Sequence, residues 1–239
     1  MVFNASILDW LALIAFFVAV VAYARYADHA GDRLLNARMR EIRARWMKRY
    51  LEREDRVLDS ILTGHSINSI ALFSSATLLI VVALLGVFTS ADTAFHMALT
   101  SSFVVHTTKE LFQVKLIGLL CVFVYGFYRF TWALLQYNYF LALVGAAPLK
   151  GHLSAAATDE LGNQMSVVLN SAVTSFHSGF RSYYHALAWV GWFFHPLVFI
   201  AATAFVTFVL VYRQIASPSA GAIKGYSALL HEIEERNRN

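Results

Sequence analysis

The sequence predicts an all-α, polytopic membrane protein with four transmembrane helices and long cytoplasmic helical extensions. Three observations carry that class. Hydrophobic residues make up 58% of the chain and charged residues 14%, whereas a soluble domain is nearer one quarter charged. The apolar residues gather in four blocks, each long enough for the roughly 20 residues a spanning helix needs. The cations gather too: the segment from Arg25 to Ile67 holds ten of the 19 Lys and Arg residues.

The first span is expected over 6–24. No Lys or Arg precedes it and Asp9 stands at its start, which does not fit a cleaved signal peptide. Asp9 is expected to cap the helix or stay hydrated. After it, Leu35, Met39, Ile42, Trp46, Tyr50, Val57 and Ile61 recur near helical multiples, predicting an amphipathic cytoplasmic helix over about 34–62. Its apolar stripe would pack on other cytoplasmic segments, or lie among anionic lipid headgroups that attract its cations. Glu41, Glu52, Glu54 and Asp55 interrupt those cations, so a nucleic-acid partner is not expected.

The second span is expected over 67–88, and the loop from Thr89 to Gln113 carries only Lys109. By the positive-inside rule the first loop is then cytoplasmic and, with four spans, both termini face out. The third block runs without proline from Val114 to Ala147, too long for the bilayer alone. A span over 114–135 would continue as helix into the cytoplasm until Gly145 and Pro148 stop it. Tyr125, Tyr128, Trp132, Tyr137 and Tyr139 read as an interfacial belt, and Lys115 as an outer-end cation that reaches water. A last helix is expected from near "ATDE" to Tyr212, kinked at Pro196, with its span over 189–212 and Trp189 and Trp192 at the interface. Residues 1–213 would form one membrane domain and 214–239 a polar tail.

The candidate site lies where the last two spans leave the membrane. As antiparallel neighbours they would set Arg129 and Arg181 at similar depth, with Tyr183 beside them and Gln136, Asn138 and His177 further into the cytoplasm. Such a polar, cationic vestibule suits an anion, a lipid headgroup or a protein partner. Histidine chemistry fits poorly. His177 and His185 stand about 12 Å apart along one helix, and His195 about 15 Å further, so no two share a metal ion, and no "HExxH" occurs. Haem would need a second histidine at matching depth, which the apolar cores of the other spans lack. There is no "GxSxG", and Cys121 is the sole cysteine. No catalytic, metal-binding or cofactor-binding residue is therefore assigned, and no cofactor is expected.

Taken together, "YLEREDRVLDSILTG", "FSSATLLI", "FVYGFYRFTWALLQYNY" and "GFRSYYHALAWVGWFFHP" resemble the landmarks of the uncharacterised membrane proteins grouped as domain of unknown function 599, over about Leu8 to Arg213. The matching positions are Arg53, Glu54, Arg129, Trp132, Gln136, Asn138, Tyr139, Arg181 and Tyr183. His185 departs from the pattern, which expects an apolar residue there. The resemblance implies a four-span bacterial inner-membrane protein and brings no activity or catalytic residues. The expected function is a non-enzymatic scaffold or accessory subunit of a membrane assembly, either a homo-oligomer or bound to a membrane-protein partner. Its rivals are a homo-oligomeric channel or transporter, perhaps for anions, and a haem- or quinone-linked redox subunit.

Overall fold

The computed structural model describes residues 5–29, 34–99 and 108–236. Among them every regular element is an α-helix: α1 Ile7–His29, α2 Leu35–Glu52, α3 Val57–Thr89, α4 Ala91–Leu99, α5 Lys109–Ala146, α6 Ala155–Phe194, α7 Pro196–Ile215 and α8 Pro218–Arg236. Four helical stretches are long and apolar enough to cross a membrane: Ile7–Ala27, Val57–Thr89, Lys109–Ala146 and Pro196–Arg236. The helix ends have local causes. Ser6 and Asp9 form a reciprocal cap at the start of α1, the Asp9 carboxylate accepting from the Ser6 backbone N–H (3.1 Å) and hydroxyl (2.7 Å) and the Ser6 hydroxyl accepting from the Asp9 N–H. The Ser154 hydroxyl caps α6 by accepting from the Ala157 N–H.

The chain divides into two compact units. Unit one comprises Met1–Tyr23, Ile70–Thr131 and Ser175–Phe208, and unit two Ala24–Ser69, Trp132–Thr174 and Val209–Asn239. Long helices contribute to both, and each unit has its own interior.

Unit one is built around the second half of α6. α1 reaches it through Phe16, edge-on to Trp189 at 5.2 Å. α3 reaches it through Phe73, 4.4 Å from Phe180, and α7 through Phe199, stacked on Trp192 at 5.3 Å. α5 lies closest. A Cβ added at Gly179 would stand 2.5 Å from the Phe130 ring, and one at Gly118 or Gly126 would overlap the Trp189 indole or the Ser182 hydroxyl. Small residues let two backbones approach in this way. Trp189 cannot give ground, because its indole N–H donates to the Lys115 carbonyl (2.8 Å) and its ring is buried. Gly118→Ala is therefore expected to destabilise the fold by about 1–3 kcal/mol, as overpacking does; a thermal melt in detergent checks it against Gly86→Ala, where a Cβ meets open space. The outward faces of α1, α3 and α7 carry Trp10, Ile14, Phe17, Leu79, Val82, Phe205 and Phe208, an apolar exterior suited to lipid.

Three expectations about segments change. The helix expected over 34–62 ends at Glu52, because Arg53 is extended (φ −83°, ψ 146°). Asp55 then caps a new helix by accepting from the Val57 N–H (2.9 Å), so Val57 and Ile61 open α3 and point outward. The helix expected to kink at Pro196 breaks there instead. Pro196 is the first residue of α7, and the His195 ring caps it, Nδ1 accepting from the Leu197 N–H (3.0 Å). The rings of Trp189 and Phe199 lie 5.5 Å apart, although ten residues of straight helix would separate them by about 15 Å. α6 thus runs from unit two into unit one, and α7 doubles back to unit two. One consequence concerns the termini: α8 packs on α2, with the Ser227 hydroxyl donating to Glu41 (3.1 Å).

The third change concerns exposure. Trp189 and Trp192 are interior, not interfacial, and Tyr137 leaves the expected belt for the core of unit two, while Tyr125, Tyr128, Trp132 and Tyr139 do face outward. Lys115 does not reach water; it is 4% exposed.

Candidate functional site

In unit one, α6 presents Ser175, Ser178, Gly179, Ser182 and Ala186 as one buried stripe. Residues three and four apart on a helix share a face, so the stripe is continuous. Arg129 of α5 meets it, its Nη2 donating to the Ser175 hydroxyl (3.3 Å). Arg181 donates Nη2 to the Ser178 hydroxyl (2.7 Å) and stands 5.9 Å over the Tyr23 ring. The Tyr125 hydroxyl lies 3.4 Å from the Ser178 hydroxyl. The two arginines expected at similar depth are thus anchored on adjacent serines, one turn apart. Arg129 Nε is buried without a hydrogen-bond partner among the described residues.

The remaining candidates disperse. Tyr183 exchanges a hydrogen bond with Thr77 of α3 (2.8 Å) and packs on Phe123, so it serves helix packing. His177 is on the outward side of α6. Gln136, half-buried, and Asn138, exposed, belong to unit two. His185 packs edge-on against Phe16 at 5.8 Å. The small-residue spacing from Ser175 to Ala186 is the sequence signal that α6 is an interior helix.

A second polar cluster in unit one escapes sequence reasoning. Asp9 is 6% exposed and Lys115 4%. Trp192, 1% exposed, joins them. Its indole N–H donates to Asp9 Oδ1 (2.8 Å), while Lys115 Nζ donates to the Trp192 carbonyl (2.8 Å) and lies 5.3 Å from the ring centre. Asp9 is therefore both a helix cap and an acceptor for a buried tryptophan. Charges at such positions persist only when partnered.

Unit two is held by ion pairs around "YLEREDRVLDS". Asp59, buried, accepts from Trp46 Nε1 (2.6 Å) and Arg53 Nη1 (2.7 Å). Arg56 closes the end of α5, donating to the carbonyls of Ala147 (3.2 Å) and Pro148 (2.6 Å) while covering the Tyr50 ring at 4.5 Å. The Tyr50 hydroxyl donates to the Val144 carbonyl (3.0 Å). A cation satisfying the last carbonyls of a helix also complements its dipole. Arg43 Nε donates to Asn170 (2.5 Å); burial brings its pKa down to about 10, which leaves it charged at neutral pH.

The contact between α2 and α8 is pH-sensitive by construction. Glu41 meets Arg45 at 3.0 Å and His231 Nε2 at 2.5 Å, and Arg45 also reaches Glu234 at 3.2 Å. Burial works against the Glu41 carboxylate, but the Ser227 hydroxyl, Arg45 and His231 outweigh it and hold its pKa below the ordinary 4.5. A carboxyl whose pKa is depressed by folding contributes stability above the unfolded-chain value and loses it as pH falls through the folded value. Wild type is therefore expected to lose more stability than Glu41→Gln on going from pH 6 to pH 3.5, by under about 1 kcal/mol because the pair is partly solvated. Thermal melts of both proteins across that range check this.

Among the described residues every regular element is helical, and four apolar helical stretches are compatible with a multi-pass membrane protein. The chain belongs to the family described as "Protein of unknown function, DUF599", which matches residues 11–219. No curated protein and no solved structure matches the chain.

Proposed function

We propose that the chain is an integral membrane protein that serves as a scaffold or accessory subunit of a membrane assembly, without catalysing a reaction itself. The carrying observation is the filling of unit one. Around α6 the space between helices is taken by rings: Phe73, Phe130, Phe176 and Phe180 in one group, and Phe16, Trp189, Trp192 and Phe199 in another. Close-packed aromatic interiors give the rigidity that a scaffold needs. Apolar residues face outward on α1, α3 and α7, available to lipid or to partner helices. The concentration of cations in 25–67, with those of α8 on the same side, favours a cytoplasmic position for unit two and an outside position for the N-terminus. A bacterial inner membrane is the proposed setting.

Two steps test this reading. Membranes are first washed with alkaline carbonate, which the chain is expected to resist. Mild-detergent purification from native membranes is then expected to retain a stoichiometric membrane-protein companion, and the purified chain in liposomes to pass no ions. Release by carbonate would contradict the membrane reading. Anion flux abolished in Arg129→Ala or Arg181→Ala would replace the scaffold with a channel.

A further inference from the structure

We propose that α3 pairs with the same helix of a second copy of the chain, along Leu58, Ile61, His65, Asn68, Leu72 and Ser75. The inference deepens the proposed function by naming one partner, and it takes from the membrane reading only the parallel direction of the pair.

One continuous helix carries the pattern. These positions follow one another at steps of 3, 4, 3, 4 and 3 residues, the spacing of a and d in a heptad. All of them are exposed, and the apolar ones strongly so: Leu58 is 61%, Ile61 52% and Leu72 67% exposed. Leu58 and Ile61 belong to unit two, whose outer surface also carries Arg40, Arg49, Glu52 and Glu54. An apolar seam that continues into so charged a unit fits a partner helix better than lipid. A straight α-helix drifts from a strict heptad seam by about 20° per heptad, so close contact is confined to the stretch 58–75. Leu79 and Val82 are left to lipid.

The chemistry of the seam selects a second copy over an unrelated chain. A two-fold axis along the membrane normal sets two spanning helices parallel and brings each seam residue against itself. Like charges would then repel, and the seam has none: the one Asp, Glu, Lys or Arg of α3 is Asp59, which is buried. An amide suits this symmetry because it is donor and acceptor at once. Asn68 of one copy can donate to the Asn68 carbonyl of the other and accept from it in return. The Ser75 hydroxyl and a neutral His65 ring have the same dual character. Polar side chains that bond across a helix pair also fix its register and copy number.

Disulfide cross-linking in native membranes tests the seam. Single cysteines are introduced in a Cys121→Ser background as Ile61→Cys, Leu72→Cys, Ser60→Cys and Leu78→Cys, all at exposed positions. Residues 60 and 78 lie about 110° around the helix from the seam, at depths close to its two ends. Mild copper oxidation is expected to link the cysteines at 61 and 72 into dimers at least about tenfold faster than those at 60 and 78, because only the former face their counterparts. Equal rates at all four positions, faster linking at 60 and 78, or linking of 61 and 72 to a different protein would overturn the proposal. Native mass spectrometry of the full-length protein in mild detergent gives a second readout. Wild type is expected as two copies, with pairing weakened about tenfold in Asn68→Ala and less in Asn68→Gln, which keeps an amide. A single-copy wild type, or pairing indifferent to the residue at 68, would overturn the proposal. A chain that resists carbonate and retains its companion without pairing would refute this inference and leave the proposed function standing.

Discussion

Trp192→Ala is expected to cost about 3–5 kcal/mol of stability from truncation alone. Trp192 is among the largest fully buried side chains and stacks on Phe199, so its removal opens a cavity where α6 turns back into α7. It also takes away the indole donor to Asp9 (2.8 Å) and the ring face beside Lys115, leaving a buried carboxylate short of a partner. Trp192→Phe separates the two effects. It keeps most of the volume and loses only the donor, so about 1–3 kcal/mol is expected. Melting midpoints in one detergent check both. An alanine variant no less stable than the phenylalanine variant would mean that packing at this corner does not hold the reversal.

The second large effect is expected in unit two. Asp59→Ala removes the acceptor shared by Trp46 and Arg53, at an expected cost of about 2–3 kcal/mol. That is below the usual figure for a broken buried ion pair, because Arg53 is 40% exposed and rehydrates. Asp59→Asn keeps one acceptor oxygen and should lose less. Hydrogen exchange separates a local from a global effect: amides of α2 (35–52) should exchange faster in Asp59→Ala, while those of α6 (175–194) stay protected. Uniform acceleration would show that the ion pairs of unit two stabilise the whole chain.

The long helices were legible in the sequence because their apolar blocks are bounded by strong local signals, such as Gly145 and Pro148 at the end of α5. The ends of α2 and α6 were not. At residues 53–56 the apolar periodicity continues across a break set by Asp55 and Asp59, whose partners are fixed only in the folded state. At Pro196 a kink and a break satisfy the sequence equally well. What decides is Phe199 returning onto Trp189 and Trp192, a tertiary contact. Ring type alone also misled, since tryptophan suits an interface and a core alike. Aromatic residues and helical rise pointed to Arg129 and Arg181, which rest on the Ser175 and Ser178 hydroxyls. The Asp9–Trp192–Lys115 cluster was not legible, because its hydrogen-bonded partners are 183 and 77 positions apart.

Accessibility to a water-soluble maleimide tests the membrane placement most directly. In a Cys121→Ser background, single cysteines are introduced as Leu79→Cys, Phe205→Cys, Arg49→Cys and Glu235→Cys. All four positions are exposed in the isolated chain, so only a bilayer can distinguish them. In sealed native membranes opened to admit reagent on both sides, the cysteines at 49 and 235 are expected to react promptly, and those at 79 and 205 only after detergent is added. Equal reaction at all four positions before detergent would contradict a lipid-embedded unit one.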